Sequence, residues 1–305
     1  MSELGLSSEL SAPVSKVEGG ARVLLSTCFE LAKPRITRMV VLTTGLGIFA
    51  APGPHDWLHV TMTLLGMALV VAGANALNMF IERDSDGLMS RTRARPLPSG
   101  RMQPEVALAL GVGWSLLGLV AMAHYSGVLA FSLAVFSLLA YVLLYTPLKR
   151  VGPISLYVGA VPGALPPAIG YVSATGRFDR VALCLFLIMF VWQLPHFLAI
   201  ALFRVTEYER AGLQVMSVAR GLPATRRAMV LFALLLLFVT LLPLAVGLGG
   251  TTYAVIATVS GTAFAISAIY GGLRQAGSRW ARVIFFGSMP HLVLVLGAFV
   301  LSVQS

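Results

Sequence analysis

Asn78, Glu82 and Asp86 rise directly out of an apolar run and follow one another at i, i+4 and i+8. If the helix that carries them continues past the membrane edge, all three fall on one stripe of its surface. Like charges at i,i+4 repel, so this spacing costs stability unless a cation sits between them. Two carboxylates and an amide are hard oxygen donors, the type that holds Mg²⁺ when substrate phosphates and water complete the shell. A dense arginine set follows at Arg91, Arg93, Arg95 and Arg101, and guanidinium forks suit phosphate oxygens. The alternative is an ordinary charged loop that balances topology. Emergence of the stripe from a span argues against that reading.

The elements that position these residues are membrane helices. Of 305 residues, 57% are hydrophobic and only 11% charged, with a mean hydropathy of +0.86. Soluble domains carry roughly a quarter charged residues, so a soluble enzyme, a secreted scaffold and a disordered chain are excluded. A bilayer core needs roughly 20 apolar residues per helix. Nine spans are expected, at about 36–52, 58–79, 105–124, 127–146, 153–173, 181–203, 228–248, 251–273 and 283–303. Residues 1–25 read as a flexible tail, and 26–305 as a single nine-helix domain. Cys28 and Cys184 are too few for a disulfide framework or a zinc ribbon.

The net charge of +10 reflects topology and lipid rather than nucleic acid. With nine spans, 20 of the 22 Lys and Arg residues fall on the N-terminal side, and only Arg177 and Arg180 on the other. That places the N-terminus in the cytoplasm and the C-terminus on the opposite side. The two long charged loops, after the second and sixth spans, lie on the same face.

The run Asn78-x-x-x-Glu82-Arg83-Asp84-x-Asp86, continuing through Met89, Arg91-Thr92 and Arg95-Pro96-Leu97-Pro98-x-Gly100, resembles the first acidic signature of the UbiA-type intramembrane prenyltransferases. Within them it is most similar to the haem-farnesylating branch. Lys33-Pro34-Arg35, Tyr145-Thr146-Pro147-Leu148-Lys149-Arg150 and the Gly159–Gly170 stretch with its prolines resemble other segments of that branch. So does Trp192-Gln193-Leu194-Pro195-His196-Phe197, leading to Arg204, Glu207 and Tyr208. The resemblance covers about residues 30 to 300. Two departures are visible: Glu82 stands where the family more often has Asp, and Phe203 and Ala211 leave Glu207 without a second Asp-x-x-x-Asp pair.

The resemblance implies an all-α integral membrane protein, nine transmembrane helices around a central cavity. It implies transfer of the farnesyl group of farnesyl diphosphate to a vinyl group of haem B, with water addition, giving haem O and diphosphate. Asn78, Glu82 and Asp86 would hold Mg²⁺, and Lys33, Arg35, Arg95, Lys149 and Arg150 would clamp the diphosphate. Glu207 would join the catalytic set, through a water on Mg²⁺ or by orienting Arg204 and Lys149. His196 lies eleven residues before Glu207, close to three turns, so both can face one cavity; it is either a haem-binding residue or a packed histidine. The implied setting is the cell inner membrane, among membrane lipids, with haem A synthase or a terminal oxidase receiving the product. Two rivals remain at this point: a prenyltransferase of the same superfamily acting on an aromatic, chlorin or lipid acceptor, and a secondary transporter for an anionic solute.

Overall fold

The computed structural model describes residues 21–304, all helical apart from turns. Helix α1 (Ala21–Leu31) lies before the first expected span, so of the expected tail only residues 1–20 fall outside the described residues. The remaining helices are α2 (Pro34–Phe49), α3 (Trp57–Gly87), α4 (Pro104–Tyr125), α5 (Gly127–Leu148), α6 (Ser155–Thr175), α7 (Arg180–Phe203), α8 (Val205–Arg210), α9 (Met216–Ala219), α10 (Gly221–Ala245), α11 (Thr251–Leu273) and α12 (Ser278–Gln304). Seven of these, α3, α4, α5, α7, α10, α11 and α12, are long and apolar enough to cross a membrane. The two other expected spans correspond to α2, with only 16 residues, and to α6, diluted by three prolines.

Local chemistry explains where the helices begin. Asp56 and Asp179 cap α3 and α7, their carboxylates accepting from Leu58 N at 2.9 Å and Val181 N at 2.9 Å. Pro34 and Pro104 stand in the first turns of α2 and α4, where the missing N–H is not needed. Before Pro147, α5 widens into a π-helical stretch, Ala140–Tyr145, because proline cannot donate to the preceding turn. The Thr146 backbone N–H donates to Tyr141 O, five residues back, and Thr146 Oγ1 donates to the same oxygen at 2.8 Å.

Close backbone approach sets the interior. A Cβ on Gly47 of α2 would lie 1.9 Å from Pro167 O of α6, and one on Gly170 of α6 would lie 2.0 Å from Thr44 O of α2. Reciprocal glycines therefore let these two helices meet backbone to backbone, as small residues do in membranes. Pro166 lacks the N–H that would bond Pro162 O, and Ser137 Oγ of α5 supplies that donor at 3.1 Å. On the outside, Val128, Phe238 and Leu273 are among many exposed apolar side chains, as expected of a surface that faces lipid.

Candidate active site

Helix α3 runs eight residues beyond the expected end of its span and carries the stripe on unbroken helix to Gly87. Asn78, Glu82 and Asp86 are all buried in the protein, and all three line one cavity of about 580 Å³. Each meets its own basic partner from another part of the chain. Lys33 Nζ donates to Asn78 Oδ1 at 2.7 Å, Lys149 Nζ to Glu82 Oε1 at 2.7 Å, and Arg95 Nη1 to Asp86 Oδ2 at 2.5 Å. The repulsion built into the i,i+4 spacing is thus neutralised one charge at a time.

Local structure fixes these cations. Lys33 adopts φ 48° between α1 and α2, a left-handed conformation that costs a non-glycine residue about 1–2 kcal/mol. Thr37 Oγ1 donates to Ala32 O at 2.8 Å, and Asn75 Nδ2 of α3 donates to the same oxygen at 3.3 Å, so the turn is held against the stripe. Burial first, and then the charge of Arg95, pull the Lys33 amine down to about 7. Lys149 follows the proline-bent end of α5, its ammonium 4.4 Å from the Tyr145 ring centroid. Burial works against its charge, but Tyr145 and Glu82 outweigh that and hold it protonated above the ordinary lysine value. Thr92 Oγ1 donates to Asp86 O at 2.7 Å and folds the arginine loop back so that Arg95 reaches the stripe.

The other expected residues divide. Arg35 lines the cavity. Arg150 does not: its Nη2 reaches Ser85 Oγ at 3.4 Å instead. Glu207 is also not among the cavity-lining residues. Helix α7 ends at Phe203, and Arg204 takes φ −115°, ψ 14°, before the short α8 begins. The three-turn register from His196 to Glu207 is broken there. Glu207 Oε1 accepts from Arg204 Nη1 at 2.5 Å, and Arg204 is the side chain that lines the cavity. Burial opposes the Glu207 charge, but the Arg204 hydrogen bond and charge keep the carboxyl below its usual range.

His196 is buried behind the cavity wall. Its ring lies 4.7 Å from Trp192 and 4.6 Å from Phe285, centroid to centroid, and Phe285 lines the cavity. Ser288 Oγ donates to Phe285 O at 2.7 Å, so the 2.7 Å contact with His196 has the Nδ1–H as donor. The expected haem-binding histidine is thus packed against aromatic rings and bonded to a neighbouring helix, and it is not among the cavity-lining residues.

Arg91, named in the arginine run but not in the expected clamp, lines the cavity, as do Arg282 and Tyr141, which the sequence did not single out. Arg91 stood in plain view inside the arginine run. Arg282 carries no local signal and reaches the site only because α12 packs beside α7. Seven cationic side chains line the cavity, Lys33, Arg35, Arg91, Arg95, Lys149, Arg204 and Arg282, against two carboxylates. The rest of the wall is apolar and aromatic, including Ile36, Tyr145, Phe197, Phe203, Phe285 and Phe286. Such a cavity suits a ligand with a strongly anionic head and an apolar body.

Residues 40–289 match the UbiA prenyltransferase family, and the chain belongs to it. It is similar to protoheme IX farnesyltransferase of Anaeromyxobacter dehalogenans, 44% identical over 272 residues that cover 89% of this chain and 92% of that protein. The protein of the same name from Sorangium cellulosum is 48% identical over 244 residues, 79% of this chain and 86% of the relative. Among solved structures, the fold is that of digeranylgeranylglyceryl phosphate synthase (TM-score 0.76, 18% identity, 92% of this chain and 98% of that one). It is also that of a UbiA homolog from Archaeoglobus fulgidus bound to GPP and Mg²⁺ (TM-score 0.66, 13% identity, 90% and 99%).

Proposed function

We propose that the protein transfers the farnesyl group of farnesyl diphosphate to a vinyl group of haem B and, with addition of water, yields haem O and diphosphate. Curated relatives at 44% and 48% identity carry that activity in their names. The observation that carries the reading here is the buried stripe of Asn78, Glu82 and Asp86, each held by a cation, at the charged end of an aromatic-walled cavity. Membership of a prenyltransferase family sets the transporter reading aside.

The donor set fits a divalent cation. Among the described residues no group of three or more His, Cys, Asp or Glu side chains is placed to hold a metal unaided, so phosphate oxygens must complete the shell. Asn78, Glu82 and Asp86 would hold Mg²⁺, which when bound supplies Lewis-acid neutralisation of the leaving group.

The chain's own residues account for the rest. Cleavage of the C1–O bond leaves its electron pair on diphosphate and an allylic cation on the farnesyl chain. Lys33, Arg95 and Lys149, which line the cavity beside the stripe, clamp the negative charge that develops on the diphosphate. Preorganised charge of this kind lowers a barrier most when water is excluded. The terminal vinyl carbon of haem B attacks C1, positive charge moves to the carbon beside the porphyrin, water adds there and a proton leaves. The aromatic wall shelters the cation until that attack. Arg35 adds positive charge to the clamp, Arg150 supports it from outside the cavity through Ser85, and Glu207 orients Arg204. His196 buttresses Phe285.

The protein works in the cell inner membrane with its N-terminus in the cytoplasm, as the distribution of Lys and Arg supports. Haem A synthase or terminal-oxidase assembly takes up the product. The test is incubation of the purified protein in lipid with farnesyl diphosphate, haem B and Mg²⁺, followed by mass analysis of the pigment. Haem O and one diphosphate per turnover are expected; prenylation of a hydroxybenzoate with no haem O would overturn the reading.

A further inference from the structure

Five of the seven cavity cations fall into two groups. Lys33, Arg95 and Lys149 bond the stripe on α3, whereas Arg204 and Arg282 make no bond to it and both lie against one ring. Their guanidinium carbons lie 5.6 and 5.7 Å from the Phe203 centroid. Phe203 meets Phe285 edge-on at 5.7 Å, and Phe285 meets Phe286 at 5.0 Å, so one aromatic wall runs on from the arginine pair. Glu207 fixes Arg204. Arg282 makes no ion pair among the described residues, and Glu209 is the last acidic residue in the chain. Its charge therefore points into the cavity without an internal counter-ion.

A diphosphate on the stripe takes up the first group and leaves the second open, Arg282 with no ion pair among the described residues and Arg204 held by Glu207 through Nη1. A flat conjugated acceptor bearing two carboxylates answers it: the ring plane lies along the aromatic wall and the carboxylates take the guanidinium forks. Building on the function proposed above, we infer that Arg204 and Arg282, gripped by Phe203, form the subsite for the propionates of the porphyrin acceptor and orient its vinyl edge toward the stripe. The same pair then sets the preference of this enzyme for a dianionic acceptor over a neutral one.

The experiment compares haem B with its dimethyl ester, in which the propionates are uncharged, in wild type, Arg282→Gln and Arg282→Lys. In wild type the ester should show a KM about ten- to hundredfold higher, the loss expected for charge-assisted hydrogen bonds. Arg282→Gln should raise the KM for haem B toward that of the ester, leave the ester's KM and that of farnesyl diphosphate within about twofold, and so report a folded protein. Arg282→Lys should recover part of the difference. Equal effects of Arg282→Gln on both porphyrins, or a shift confined to farnesyl diphosphate, would overturn the subsite assignment alone. Wild type that farnesylates neither porphyrin, while releasing diphosphate with another acceptor, would instead remove the functional reading beneath it.

Discussion

Replacing Lys149 with Gln separates what the Glu82–Lys149 pair does for folding from what it does for catalysis. The charged atoms lie 2.7 Å apart, and the side chains are only 18% and 11% exposed. At an effective dielectric of about 20, unit charges at that distance attract by about 6 kcal/mol. Taking each ion out of water costs several kcal/mol, so the net value of the pair is small, but removing one partner strands the other at a cost of about 3–5 kcal/mol. Lys149→Gln should therefore lower the unfolding midpoint in detergent. It should also lower kcat for haem O formation by about 10²–10³, the effect of losing one preorganised donor to a developing anion. The double variant Glu82→Gln/Lys149→Gln has no stranded charge, so its midpoint should return close to wild type while turnover stays lost. Proteoliposomes assayed for haem O and diphosphate release give the kinetic side. Retention of kcat within about threefold in the single variant would take Lys149 off the leaving group, and a double variant as unstable as the single one would refute the ion-pair account.

Further outcomes follow from other parts of the structure. A side chain at Gly47 meets Pro167 O at 1.9 Å, whereas one at Gly113 meets nothing within 4 Å; Gly47→Val should cost at least about 2 kcal/mol, and a folded yield equal to that of Gly113→Ala would disprove the α2–α6 contact. Because Glu82 and Asp86 are already neutralised, calorimetry should find Mg²⁺ binding at least about tenfold tighter with inorganic diphosphate present than alone; equal affinities would contradict partner exchange at the stripe. His196→Phe should keep turnover within about tenfold, losing roughly 1 kcal/mol with the Ser288 bond; abolished haem O formation with intact farnesyl diphosphate binding would place the imidazole on the haem. The carboxyl of Glu207 is held below its unfolded value of 4.5, so its contribution is fully present above that pH and fades as pH falls through the lower folded value. Glu207→Gln should flatten this part of the acid unfolding profile, and an unchanged profile would remove the Arg204 contact from the account.

Much of the site is legible in the primary structure because it is local. The stripe is written in one helix at a period of four, and α3 keeps that period to Gly87. The loop arginines stand within a few residues of it, so Arg95 was found by proximity. The His196–Glu207 register failed for an equally local reason, the helix interruption at Arg204 between α7 and α8, which carries no glycine or proline to announce it. Arg150 shows the limit of counting charges: it adjoins Lys149, yet neighbouring residues at the end of α5 point in different directions, and only one reaches Glu82.

The sequence by itself determined that this is a helical membrane protein, that its carboxylates and arginines cluster in a few segments, and that its family is one of intramembrane prenyltransferases. Each of these depends on composition or on spacing within a single segment, which the chain fixes before it folds. The tertiary structure alone decided which cation meets which oxygen, packed His196 against Phe285, and brought Arg282 of α12 and Arg204 to the ring of Phe203. Apart from Arg95, which lies close to Asp86 in the chain, the pairings on the stripe join residues far apart in sequence, 45 positions for Lys33 and Asn78 and 67 for Glu82 and Lys149. Side-chain geometry at such separations is set by how helices pack, and here that packing turns on glycines and prolines that let backbones touch.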